Sequence, residues 1–197
     1  MRFLKLTVLA TLLAPSLAAQ SGYRPVRHGF WFGAGLGVGA GGLHCGICES
    51  GGGQGTSGYL RAGTTVNPRL LVGVEGSGWQ KNGEEGKRRI LALTGGIWWY
   101  PRSDAGHFIR GGVGISGWRA AAEQEAVVSR ALALTVGAGY EARVAPYLSV
   151  VPFVNVLGSS GGALWLEHRD EGSYERNRLP ARGHTVLIQL GIGFTRH

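Results

Sequence analysis

Residues 30–42 read FWFGAGLGVGAGG, with glycine at 33, 35, 37 and 39 and Ala34, Leu36 and Val38 between them. In an extended chain successive side chains point to opposite faces. One face of this stretch therefore carries apolar groups, and the other carries almost nothing. A helix of the same composition would scatter both sets around its axis. The stretch predicts a strand with one apolar side and one side against which bulky neighbours press closely.

Seven further segments of about ten residues show the same period of two. They cover 58–66, 70–79, 89–100, 107–118, 130–141, 147–157 and 184–196. In 130–141, Leu132, Leu134, Val136, Ala138 and Tyr140 share one face. Ala131, Ala133, Thr135, Gly137, Gly139 and Glu141 share the other. In 184–196, Val186, Ile188, Leu190, Ile192 and Phe194 oppose Thr185, Gln189, Gly191, Gly193 and Thr195. Short connections at 67–69, 101–106 and 142–146 alternate with longer ones at 41–57, 80–88, 119–129 and 158–183.

Composition says which face looks outward. A water-facing surface needs many Lys and Glu, but the second face is mostly Gly, Ser, Thr and Ala, with sparse Arg61, Glu75, Arg110 and Gln189. Such a face suits a narrow lumen, and an eight-strand barrel has room inside for side chains only. The prediction is an all-β fold: an eight-stranded antiparallel up-and-down transmembrane β-barrel, with apolar groups facing lipid and glycines facing inward. Tight turns alternating with longer loops suit that topology. The competing arrangement, a soluble lipocalin-like barrel, would turn the apolar face inward.

The N-terminus reads as an address. Arg2 and Lys5 precede the short apolar run Leu6–Ala14, and small residues follow at Pro15–Ala19. This predicts a signal peptide over 1–19 and a barrel domain over 20–197. Removing Arg2 and Lys5 lowers the formal net charge from +8 to +6. An exported basic chain is a poor nucleic-acid partner. Outer-membrane lipids and lipopolysaccharide phosphates are the expected partners. No cofactor and a monomeric state are expected.

Aromatic residues at segment ends predict two girdles. Phe30, Trp31, Trp98, Trp99, Tyr100, Phe108, Tyr140, Tyr147 and Phe194 are expected at the periplasmic rim, and Tyr59, Trp79 and Trp118 at the opposite one. Inside, Arg61, Glu75, Arg110 and Gln189 are expected to form a lumenal polar network. A buried charge needs a partner, which places Glu75 near Arg110 or Arg61.

The phrases GYLRAGTTVNPRLLVGVEGSGW (58–79), GAGYEARVAPYLSVVPFVNVLGS (137–159) and VLIQLGIGFTRH (186–197) resemble the eight-stranded OmpA/OmpX-like barrels of outer membranes. The resemblance spans nearly the whole mature chain. It implies a barrel, an outer-membrane location and passage through the outer-membrane assembly machinery. It carries no catalytic signature.

Few residues suggest chemistry. HCGIC (44–48) holds both cysteines, Cys45 and Cys48. In an exported chain these read as a small loop disulfide. A redox pair would want a helix N-terminus, and zinc would want a fourth ligand besides His44. No metal site is predicted. Two GxGxxG matches, at 37–42 and 112–117, lack the following helix that phosphate binding requires. The run Glu167–Ser173 (EHRDEGS) supplies acid, base and hydroxyl in one loop, which keeps a lipid-modifying enzyme as an alternative. A narrow channel is the other alternative. No catalytic residue is assigned. The loops also carry Lys81, Lys87, Arg88, Arg89, Arg169, Arg176, Arg178 and Arg182, interleaved with Glu84, Glu85, Asp170, Glu171 and Glu175. These read as a mixed solvated surface or as contacts for lipopolysaccharide phosphates.

Overall fold

The computed structural model describes residues 27–46, 52–83, 86–122, 125–170 and 173–197, with backbone alone at 169, 170, 173 and 174. The predicted signal peptide, Cys48, Glu84, Glu85 and Glu171 lie outside the described residues.

Among the described residues ten strands form one antiparallel sheet: β1 (Phe30–Cys45), β2 (Gly53–Asn67), β3 (Leu70–Gly83), β4 (Gly86–Trp99), β5 (His107–Ala122), β6 (Glu125–Tyr140), β7 (Ala142–Ala145), β8 (Leu148–Ser159), β9 (Gly162–Asp170) and β10 (Ser173–Arg196). Each of β1–β5 pairs with the next, and β10 returns to pair with β1, from Phe32↔Arg196 to Cys45↔Gly183. β7 continues the line of β6 beyond Glu141. β9 continues β8 beyond a break at Ser160 and Gly161, and both lie between β6 and β10. The result is a closed ring of eight staves, so the sheet has no free edge.

The opening stretch occupies β1 as its pattern requires. Phe30, Phe32, Leu36 and Val38 are exposed, while Trp31, Gly33, Gly35 and Gly37 face the interior. Two inward glycines there are obligatory. A Cβ on Gly35 would enter the Tyr59 ring, and one on Gly37 would meet the Leu190 carbonyl of β10. Glycine is thus what lets β1 and β10 close the ring over a crowded lumen.

The stretches expected as long loops are mostly strand. β3 and β4 extend to Gly83 and Gly86, β5 and β6 to Ala122 and Glu125, and β9 and β10 to Asp170 and Ser173. The alternation continues there with polar residues on the outside. The inside is held by an apolar cluster of Leu43, Trp79, Ile90, Trp118, Leu157, Leu164 and Leu187, against which Val127 and Leu179 pack.

The girdle prediction needs correction. Trp31, Trp98, Tyr100 and Phe108 are buried inside the barrel, as are Tyr59, Trp79 and Trp118. The reason is the period of two: adjacent residues such as Trp98 and Trp99 cannot share a face. Phe30, Phe32, Trp99, Tyr147 and Phe194 remain exposed on the short-turn rim, with Tyr140 half-buried. The outer edge of the apolar belt carries Arg89, Arg119, Arg130, His44 and His184 instead, all exposed.

Candidate functional site: the filled lumen

The interior is built in three tiers. At the short-turn end Trp31, Leu71, Trp98, Tyr100, Phe108 and Val151 form an apolar plug, with Trp31 and Trp98 packed edge to face at 4.8 Å. The apolar cluster under the long hairpins closes the other end. Between them lies a polar tier.

Three strands, β2, β3 and β5, supply its charges. Arg61 on β2 stands directly opposite Glu75 on β3, and Arg110 projects from β5. Arg110 Nη1 donates to Glu75 Oε1, and both side chains are about 1% exposed. Arg110 Nη2 donates to Thr135 Oγ1 at 3.1 Å. Arg61 takes a different partner set. Its Nη2 donates to Thr195 Oγ1 at 2.7 Å, tying β2 to β10. Its guanidinium carbon lies 4.9 Å from the centroid of the Tyr59 ring and 5.4–5.8 Å from those of Phe108, Trp31 and Trp98. Four ring faces thus share the charge that the carboxylate, engaged by Arg110, does not take. Gln189 Nε2 donates to the Gly78 carbonyl at 3.2 Å across the lumen. The structure therefore brings Arg61, Glu75 and Arg110 into one buried cluster and sets Gln189 apart from it, toward the outer tier.

A second buried cluster escaped sequence reasoning. Arg27, ahead of β1, reaches into the short-turn mouth. Its Nε donates to Glu141 Oε2 at 3.1 Å, and its Nη2 donates to the Ala105 carbonyl at 2.8 Å. Its guanidinium lies 3.6 Å from the Tyr100 ring centroid. The Tyr100 hydroxyl donates to Glu141 Oε1 at 2.6 Å, and His197 Nε2 lies 3.3 Å from the same oxygen. Glu141 sits in the short-turn rim, between β6 and β7. Burial raises its pKa, but His197, Arg27 and Tyr100 outweigh that and hold the carboxyl at about 2. Burial and the neighbouring carboxylate push Tyr100 up. One signal was available: Glu141 falls on the interior-facing side of its strand. Nothing singled out Arg27.

The remaining candidates do not converge. Cys45 is disulfide-bonded, and Cys48 lies outside the described residues. His168 Nδ1 is 3.6 Å from Glu125 Oε1, on neighbouring strands of the outer hairpins. Glu167 pairs with Arg119 at 2.8 Å. Among the described residues no three His, Cys, Asp or Glu side chains gather to hold a metal.

No family model matches the chain, and no curated protein matches it. Solved structures do share its fold. The Neisserial surface protein A (NspA) superposes with a TM-score of 0.56 at 13% identity, covering 85% of this chain and 96% of that one. The outer membrane protein OprG from Pseudomonas aeruginosa gives 0.50 at 13% identity, covering 87% and 98%. At such identity the likeness is one of fold.

Proposed function

We propose that the chain is an integral barrel of a bacterial outer membrane with a structural or surface-interaction role, and neither an open channel nor an enzyme. One observation carries the first half. The outside of the barrel is a continuous apolar belt, with Leu36, Leu60, Leu91, Val113, Leu132, Leu190 and Ile192 each at least 60% exposed. A belt of that extent is untenable in water and suited to hydrocarbon, where a closed ring leaves no backbone group unpaired. The leader expected at 1–19 supplies export. The short turns then face the periplasm and the long hairpins the exterior, the usual arrangement of such barrels. The stave count is that of the OmpA/OmpX-like barrels the sequence resembles.

The second half rests on the filled lumen. Two apolar tiers and a paired polar tier leave the barrel's interior to its own side chains, which supports a role for the outer surface and hairpins. Expression of the full precursor, isolation of washed outer membranes and electrophoresis of unboiled and boiled samples test the location. A band that changes mobility only on boiling is expected; recovery in the soluble periplasm without a shift overturns the reading. In a planar bilayer the same protein is expected to give no discrete conductance steps.

A further inference from the structure

The belt is not uniform. A groove of about 1320 Å³ crosses its outer face over β1–β6. The register aligns one row along it, each residue opposite the next: Leu36, Gly58, Gly78, Leu91, Gly117 and Arg130. Gly76 lies one row below, between Leu60 and Leu93. Unlike the glycines of β1, these face outward. A Cβ on Gly76 would meet nothing within 4 Å, and one on Gly117 only the Ser129 carbonyl at 3.8 Å. No internal packing demands glycine at Gly76 or Gly117, whereas a Cβ on Gly58 would stand 2.9 Å from the Gly35 carbonyl. Two bare notches, Gly58–Gly78–Gly76 and Gly117, lie between exposed leucines and are divided by Leu91.

Arginines border the notches, Arg130 at the end of the row and Arg89 above it. Arg89, one row above, donates from Nε to Gln80 Oε1, a neutral amide, at 3.1 Å. Arg119, opposite Arg89, is already paired with Glu167. Among the described residues no carboxylate pairs with Arg89 or Arg130. These two stand on β4 and β6, two strand spacings apart and one row out of step, about 12 Å between backbone positions. That span is too wide for one phosphate and suits two phosphates on a saccharide head.

We infer that this groove seats a bis-phosphorylated, multiply acylated glycolipid, with one phosphate at Arg89, the other at Arg130, and acyl chains laid into the two notches. The inference rests on the proposed outer-membrane location, which puts these arginines at headgroup level in the outer leaflet. Charge fixes the head and the bare backbone fixes the tails. Either feature alone would give only the generic attraction of a basic rim.

The test is native mass spectrometry of the full chain extracted from outer membranes and exchanged into lipid-free detergent. It is titrated with purified bis-phosphorylated lipid A or with phosphatidylglycerol. One-to-one lipid A adducts are expected, at least about tenfold tighter than phosphatidylglycerol adducts. The double variants R89A/R130A and G76L/G117L should each weaken lipid A binding about tenfold or more. Phosphatase-treated lipid A on the unaltered protein should do the same, whether or not a variant folds. Equal binding of phosphatidylglycerol overturns the assignment, as does full lipid A binding by a heat-shifting G76L/G117L. Failure of the outer-membrane reading is separate: the unaltered protein would then show no heat shift and no membrane fractionation.

Discussion

At the scale of single residues the lumen sets clear costs. Glu75 is the acceptor that balances Arg110 and faces Arg61 across the ladder. Removing it leaves two buried guanidinium groups without a carboxylate. Glu75→Ala is expected to destabilise the barrel by about 3–5 kcal/mol, read as a lower temperature at which the unboiled gel band shifts. Glycines separate into two populations that a pair of substitutions distinguishes. Gly35→Leu drives a side chain into Tyr59 and Phe153, an overpacking cost of about 1–3 kcal/mol or more. Gly76→Leu points into open space and is expected to leave the shift temperature within about 0.5 kcal/mol of the unaltered protein. Equal effects at both positions would mean that the two glycines share a face. Glu75 and both arginines stood out in the sequence as rare charges on the small-residue face. What could not be read there was the choice of partner, which depends on strand stagger. Arg61 is the direct neighbour of Glu75, yet Arg110, two strands over from it, makes the bond.

At the scale of elements, the number of staves, their order and the outward faces were all legible, because period two and turn spacing are local properties. Strand ends were not. The outer hairpins lose the apolar outer face that marks a strand in lipid, so β5 and β6 beyond Trp118 and Arg130 resemble loops in composition. Their inward residues, Ala120 and Val127, pack against the outer-tier cluster that includes Leu164 of β9 and keep the ladder going. The rim aromatics misled for a related reason: an aromatic at a strand end serves a girdle or a plug according to one residue of register. The junction of β6 and β7 carries a pH prediction. Glu141 titrates near 2, against an ordinary value of 4.5. A depressed carboxyl contributes stability that is complete above pH 4.5 and declines as pH falls toward 2. The unaltered barrel should lose heat resistance across that window. Glu141→Gln should show a lower and flatter profile there, measured by shift temperature at each pH.

At the scale of the whole molecule, the stacked interior couples distant parts of the chain. Arg27 bonds Glu141 114 residues away, Gln189 reaches Gly78 across 111, and Arg61 reaches Thr195 across 134. Contacts of such separation favour slow folding. Thr195→Val removes the Arg61 acceptor at the β1–β10 seam while leaving the short-turn plug intact. It is expected to slow acquisition of the heat-shifting form in a detergent refolding time course more than it lowers the final yield.

The charged tier also restricts the route into the membrane. While the seam between β1 and β10 is open, the face that bears Glu75, Arg61 and Arg110 has no lumen to shelter it. A sheet lying open in hydrocarbon would present those ions to acyl chains, at a solvation cost far above that of an apolar stave. Insertion therefore cannot precede circularisation: the chain must meet the bilayer already curled, or be shielded until the last stave docks.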